Sequence, residues 1–295
     1  MKLLITGSSG LVGSKLVKLA TASGHEVHSL YFDHPTSEDY SQRLDITDQA
    51  LVQKAMADKS PEVVIHAAAI TDLDLCEQKP ELAYKVNATA TGFLAAACRN
   101  VKSFFIYVST DYVFDGEHGG YREHDPPNPI NVYGKSKLAG EQETVRWSED
   151  FCIARTSVVF GWGRKHRPNF ATWVYEKLRV GQKMKVVTDQ YATPTLNSNL
   201  ARMLLETAER RMKGTFHLSG STRVNRYEFA VLLARKFGFD ETLLAPVKAD
   251  ETNWIARRPV DSSLNTATAQ KTLTHKPATL NEALGEFAED AEAGL

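Results

Sequence analysis

Cysteine is scarce in this chain: Cys76, Cys98 and Cys152 are its three, scattered over 295 residues. An odd number at wide spacing excludes a disulfide framework and a zinc pattern of paired cysteines. What remains is three buried thiols in a reducing compartment, so a cytoplasmic location is expected. Long hydrophobic runs are missing too. No stretch nears the roughly 18 consecutive apolar residues of a membrane helix. The opening MKLLITG is too short for a signal-peptide core and runs straight into glycines, so it reads as a first strand. An excess of one charge is also lacking, because 35 basic and 36 acidic residues leave a net charge of −1. No global field then recruits nucleic acid or an anionic membrane, and neither is expected as a partner. His66, His166 and His217 lack HxxxH or HxH spacing, so no metal site is expected.

What is present is ordinary globular composition, 42% hydrophobic and 24% charged. The length suits one large domain or two intimate ones. The first half has a rhythm. Apolar, β-branched runs occur at 2–6, 26–32, 62–68, 103–109 and 151–157, with helical periodicity at 11–22, 47–58, 80–99 and 134–147. Thr47 or Asp48 can cap the second helix, and Pro80 suits the start of the third. Strands apolar almost throughout, separated by helices, predict a Rossmann-type α/β fold: a doubly wound parallel sheet covered on both faces. Right-handed crossovers then gather the C-terminal strand ends along one ligand-binding edge. Beyond residue 158 the rhythm loosens, with helices near 169–180, 197–211 and 226–238 and strands at 184–188 and 214–219. The expected division is a dinucleotide-binding domain at 1–157, with about 192–219 returning to it. Residues 158–191 and 220–295 then form a smaller interleaved substrate-binding lobe.

Directly after the first strand comes GSSGLVG, with Gly7, Gly10 and Gly13 opening a helix and Leu11 and Val12 between them. The first glycine permits the tight turn, the second lets a pyrophosphate approach the positive helix end, and the third lets helix and sheet pack closely. Asp33 ends the second strand 20 residues beyond Gly13, suited to the adenosine ribose hydroxyls. Its charge repels a 2′-phosphate and favours NAD, while His34 and Arg43 leave NADP open. Asp45 and Ile46 follow a short loop, where a side chain can read an adenine edge. Ala67, Ala68 and Ala69 leave room for a flat cofactor to cross the sheet edge.

The fourth of these strands ends in STDYVFDG (109–116), and a helix later comes Tyr133-x-x-x-Lys137. Reducing a ketone needs a hydride donor on one face and a proton donor at the oxygen. A free tyrosine, with a pKa of about 10, cycles its proton reluctantly near neutral pH. A neighbouring ammonium plus the nicotinamide's positive charge favours the phenolate, so Lys137 is expected to help lower the Tyr133 pKa and to hold the nicotinamide ribose. Thr110 is placed to hydrogen-bond the substrate carbonyl, with Ser109 as the fallback because neighbouring strand residues face opposite ways.

GSSGLVG, STDYVFDG and Tyr133-x-x-x-Lys137 together resemble the extended short-chain dehydrogenase/reductases. Within them, HAAAITDLDLCE, NPINVYGKSKLAGE, DQYATPT and RRPVDSSLNT are most similar to the dTDP-4-dehydrorhamnose reductases. The resemblance implies that NAD(P)H reduces the 4-keto group of a nucleotide-activated deoxysugar, dTDP-4-dehydro-6-deoxy-L-mannose, giving dTDP-L-rhamnose. It makes Thr110 the catalytic hydroxyl, sets Asp111 against the sugar, and puts Val158, Asn169 and Gln190 in the substrate cleft. Val158 stands where the family commonly has tryptophan, and Trp162 is a candidate to compensate. Arg164, Lys165, Arg167, Arg257 and Arg258 are candidates for the substrate's diphosphate. The partners expected are the nucleotide sugar and a second copy in a homodimer. The alternatives are an epimerase or dehydratase on the same scaffold, or a non-catalytic regulatory subunit like the methionine adenosyltransferase β subunit. Only Asp111 stands where dehydratases typically carry an acidic pair, which disfavours the former.

Overall fold

In the computed structural model, residues 1–35, 41–163 and 168–292 are described. Arg164, Lys165, His166 and Arg167 lie outside them. The chain begins with β1 (Lys2–Thr6), α1 (Leu11–Ala22), β2 (Glu26–Tyr31), β3 (Ser41–Arg43), α2 (Gln49–Lys59) and β4 (Val63–His66). Next come α3 (Leu73–Gln78), α4 (Pro80–Tyr84), a π-helical segment at Lys85–Thr89, α5 (Ala90–Val101) and β5 (Phe104–Thr110). The helix α6 (Val132–Trp147) leads to β6 (Phe151–Thr156), β7 (Val159–Phe160), α7 (Phe170–Arg179), β8 (Met184–Val187), β9 (Tyr191–Ala192) and β10 (Thr195–Leu196). The remainder is α8 (Asn197–Glu209), β11 (Gly214–His217), β12 (Val224–Asn225), α9 (Arg226–Phe237), β13 (Leu244–Val247), α10 (Ala267–Thr272) and α11 (Leu280–Glu292).

Seven strands form one parallel sheet in the order β11-β6-β5-β4-β1-β2-β3. Its strands are apolar because both faces are covered. On one face Leu3, Ile5 and Ile65 pack against Leu16 of α1 and Leu200 and Leu204 of α8. On the other, Leu4, Val64 and Phe105 meet Val52 and Met56 of α2 and Leu94 of α5. A third core, with Phe160, Val174, Phe229, Leu284 and Phe287, lies outside the sheet layers and joins α7, α9 and α11. Cys76, Cys98 and Cys152 are buried. Among the described residues, no helix is long and apolar enough to cross a membrane.

Local chemistry explains most boundaries. Asp48, rather than Thr47, caps α2 by accepting from the Leu51 amide at 3.1 Å. The helix expected over 80–99 is interrupted at Lys85–Thr89. There Asn87 turns its carbonyl to the Tyr107 and Thr91 hydroxyls (both 2.9 Å), and its side chain to the Ile70 amide and carbonyl. Those outside partners reward the wider turn, as π-bulges do where a helix serves a site. The strand expected over 62–68 stops at His66, and only the Ala67 amide still meets the β1 backbone, at the Thr6 carbonyl 3.3 Å away.

Candidate active site

The glycine turn is built backbone against backbone. Gly7 has φ +66, and a Cβ on it would lie 2.7 Å from the Ala68 nitrogen. A Cβ on Gly13 would lie 2.2 Å from the Gly7 carbonyl oxygen. Gly10 caps α1 without a side-chain bond, and the first turn holds no acidic residue. Leu11 and Val12 are half-buried in this first turn. Such a cradle fits a dinucleotide's pyrophosphate. Asp33 is exposed two residues beyond β2. Beside it, Arg43 donates to the Phe32 carbonyl at 3.1 Å and lies over the Phe32 ring. The Asp45 carboxylate accepts from the Thr47 amide and hydroxyl at 2.9 and 2.8 Å, shaping the entry to α2, and Ile46 is buried beside it. Beneath the alanines, fully buried His66 is within hydrogen-bond reach of Thr6 (2.6 Å) and Thr91 (3.1 Å). Burial, with Lys137 adding to it, pulls the His66 pKa down to about 3, so the ring is neutral.

The strand β5 delivers Ser109 and Thr110 to opposite sides, as alternation requires. Ser109 donates to Glu141 at 2.6 Å, and Glu141 also takes a bidentate pair from Arg155 at 2.9 and 2.7 Å. That buried cluster clamps α6 to β5 and β6. Ser109 is therefore structural, and Thr110 is left facing Tyr133. The start of α6 is fixed by the Asn131 side-chain Oδ1, which accepts from the Gly134 amide at 2.8 Å, and by Glu77 accepting from the Val132 amide at 2.8 Å. A glycine is required at 134, where a Cβ would lie 2.0 Å from the Tyr112 carbonyl oxygen.

Tyr133 and Lys137 stand one turn apart, and both are buried. Among the protein's own groups the balance at Tyr133 runs upward. Burial pushes the phenol well above its ordinary value, a hydrogen bond with Thr110 opposes this, and the Asp111 charge adds to it. Lys137 instead donates to the Val108 carbonyl at 2.7 Å, with its ammonium 4.0 Å from the Tyr107 ring centroid. Burial pulls Lys137 down to about 7, against Glu141. Desolvation outweighs the attraction assumed from helical spacing alone. Asp111, expected against a sugar, is only 2% exposed and accepts from three hydroxyls, those of Thr110, Ser157 and Ser262.

Beside Tyr112, whose ring meets that of Tyr133 edge-on at 6.0 Å, a cleft opens against the third core. Val158, Gln190 and Ser262 line it, with Tyr112, Phe170 and Arg226 among the others. Val158 has φ +38, a left-handed conformation that strains a β-branched residue. Gln190 is 6% exposed and its side-chain Oε1 accepts from the Arg226 guanidinium at 3.3 Å, while its Nε2 has no partner among the described residues. An unpaired buried donor facing a cleft is suited to an acceptor on a ligand. Two candidates lie elsewhere. Asn169 caps α7, taking the Thr172 amide and giving to the Gly161 carbonyl at 2.7 Å. Trp162 does not replace a cleft aromatic, because it stacks on Phe287 at 4.6 Å and donates to that residue's carbonyl. Arg258 is held by Asp74 at 2.8 Å, and Arg257 contributes its carbonyl to Asn131.

Compared with known proteins, residues 1–293 match the RmlD substrate binding domain family. The chain belongs to that family. A crystal structure of dTDP-4-dehydrorhamnose reductase from Bacillus anthracis in complex with NADP superposes with a TM-score of 0.89, at 29% identity, covering 98% of this chain and 99% of that one. A probable low-salt glycan biosynthesis reductase of Haloferax volcanii is 36% identical, over 96% of each chain. Methionine adenosyltransferase 2 subunit beta of Xenopus tropicalis is 32% identical, over 91% of this chain and 81% of the relative.

In this RmlD family member the sequence reading missed Arg226, Tyr112 and Ser262 as cleft residues. Tyr112 lies in the short helical turn Asp111–Val113 that follows β5, beyond the reach of strand alternation. Arg226 gave no signal: it opens an ordinary capped helix, and only the tertiary fold brings it over the Phe170 ring at 4.9 Å.

Proposed function

We propose that this protein reduces the 4-keto group of a nucleotide-activated deoxysugar with NAD(P)H. Its substrate on this reading is dTDP-4-dehydro-6-deoxy-L-mannose and its product dTDP-L-rhamnose. The observation that carries the reading is Tyr133 and Lys137 one turn apart at the start of α6, with the Thr110 hydroxyl beside the phenol and a backbone-tight glycine turn opening α1. Family membership and the reductases among its relatives support it. The nicotinamide cofactor, when bound, supplies the hydride. Gly7, Gly10 and Gly13 hold its pyrophosphate, Asp33 its adenosine ribose, and Ala67, Ala68 and Ala69 make room across the sheet edge. Thr110 orients the carbonyl, and Tyr133, neutral because burial raises its pKa, gives its proton to the oxygen. Lys137 anchors the helix face beside them. We also propose the division into 1–157 with 192–219, and 158–191 with 220–295, supported by the separate core around Phe160 and Phe287.

The test mixes purified protein with NADH or NADPH and dTDP-4-dehydrorhamnose and follows the reduced-nicotinamide absorbance. Substrate-dependent loss of absorbance is expected, and none with either cofactor sinks the reading. A Tyr133→Phe variant should bind cofactor normally and lose about 10²- to 10⁴-fold in kcat. The methionine adenosyltransferase likeness carries the competing outcome, cofactor binding without turnover.

A further inference from the structure

Two arginines beside the cleft are already matched by acids: Arg223 by Asp261 at 2.6 Å and Arg258 by Asp74 at 2.8 Å. Arg226, in the cleft wall itself, forms no ion pair among the described residues. Neutral groups hold its guanidinium instead. Its Nε donates to Gln190 Oε1 at 3.3 Å, the Tyr112 phenol shares a hydrogen bond with it, and its central carbon lies 4.9 Å from the Phe170 ring centroid. The carboxylates close by are engaged elsewhere. Glu228, two residues on, accepts from the Asn225 amide at 3.0 Å to cap α9, and Asp111, next to Tyr112, accepts from three hydroxyls. A half-buried charge without a counter-ion is destabilising, and a ligand that brings the anion offsets that cost.

Gln190 adds a second donor to the same wall. Its contact with Arg226 identifies Oε1 as the accepting end of the amide, which leaves buried Nε2 as the donor without a partner. A guanidinium and an amide donor side by side suit an anion with several oxygens. We propose that Arg226, with Gln190 beside it, holds the diphosphate of the nucleotide-sugar substrate. Naming that anion a diphosphate rests on the reductase reading above.

Position fits the assignment. The Tyr112 ring stands 6.0 Å from that of Tyr133 and is hydrogen-bonded to Arg226 on its other side, so one side chain separates the phenol from the guanidinium. A sugar that presents its C4 oxygen to Tyr133 carries its C1 phosphate at the opposite end of the ring, a side chain's breadth away. A cation placed there touches no bond that changes in the reaction. It binds ground state and transition state alike and therefore acts on KM rather than on kcat.

Calorimetric titration with dTDP and with dTMP, at saturating NADPH so that the cofactor's own pyrophosphate site is filled, tests this. Wild-type protein should prefer dTDP. Arg226→Gln should weaken dTDP about 10- to 100-fold, the range of a charge-assisted hydrogen bond, and lose most of the preference over dTMP. Its KM for dTDP-4-dehydrorhamnose should rise at least tenfold, with kcat within about threefold. Arg226→Lys keeps the charge without the fork and should recover part of the loss. Gln190→Glu leaves Arg226 in place but hands it a carboxylate, and should weaken dTDP as well. Unchanged dTDP affinity in Arg226→Gln, or dTDP and dTMP weakened equally, overturns the assignment; the second result makes Arg226 a wall of the cleft only. If Arg226→Gln does not fold, Gln190→Glu decides, and wild-type dTDP affinity from it overturns the proposal. Wild-type protein that prefers dTDP yet turns over no sugar removes the reductase reading and leaves the diphosphate site standing, a distinguishable failure.

Discussion

The glycine turn and the cleft around Gln190 are made from different materials. The edge at the turn is backbone: Gly13 against the Gly7 carbonyl within one turn of chain, and Gly7 against Ala68 just past the neighbouring strand β4. The cleft is side chain: Tyr112, Val158, Gln190, Arg226 and Ser262 come from segments spread over half the chain. A backbone contact admits only glycine at fixed spacing, whereas a side-chain wall admits many residues provided the fold brings them together. The first kind of site is therefore rigidly tied to its motif. The second can vary while the chemistry beside it stays constant.

The strongest way to break that contrast is Gly13→Val. Its Cβ would meet the Gly7 carbonyl oxygen at 2.2 Å and the Ser8 Cα at 2.9 Å, backbone atoms with no rotamer to yield. Overpacking of this kind costs about 3 kcal/mol or more. Equilibrium denaturation should show that loss, and NADPH titration should show a fall of about 100-fold in affinity, roughly 2.7 kcal/mol. A variant that keeps both would mean the turn is not backbone-limited.

The next effect probes the packing beneath the edge. His66 is neutral in the folded chain, with its pKa pulled to about 3 by burial, against 6.5 when unfolded. Between those values the unfolded chain binds more protons, so stability is complete above pH 6.5 and is lost as pH falls toward 3. The slope from this one group is roughly 1.4 kcal/mol per pH unit, or about 2 kcal/mol by pH 5. His66→Gln should flatten that part of the profile in denaturant melts at pH 5 and pH 7. An identical acid slope in the variant would assign the loss to other groups.

The same contrast explains what could be read before the fold was known. Strand and helix order through Thr156, the glycine turn and the Tyr133–Lys137 pair follow from local periodicity and spacing, and the fold has them. The choice between Ser109 and Thr110 needed the Glu141–Arg155 clamp, a tertiary fact. Burial was the other unreadable quantity. Helical spacing put Lys137 near Tyr133, yet the direction of both pKa shifts is set by desolvation, which no motif records. Asn169 and Trp162 show the reverse error, since residues of the right type beside a cleft were taken up by a helix cap and by the third core.

The smallest effect tests whether the cleft wall is shaped by strain. Val158 holds φ +38 because both neighbours are pinned: its carbonyl accepts from Thr195, the Ser157 carbonyl takes the Thr195 hydroxyl, and Val159 pairs with Thr195. Relief of such a conformation is worth about 1–3 kcal/mol. Glycine gives back roughly 0.5–1 kcal/mol in unfolded-state entropy, and the half-buried side chain is lost as well. Val158→Gly should therefore shift stability by no more than about 1 kcal/mol in either direction. Val159→Gly, one residue on in the extended β7, gains no relief and should cost about 2 kcal/mol, counting lost entropy and lost packing. Equal losses at the two positions would show that residue 158 carries no usable strain. Unequal losses, with KM for the nucleotide sugar changed at 158 alone, would tie the left-handed backbone to the shape of the cleft, where this chain departs from the family's usual tryptophan.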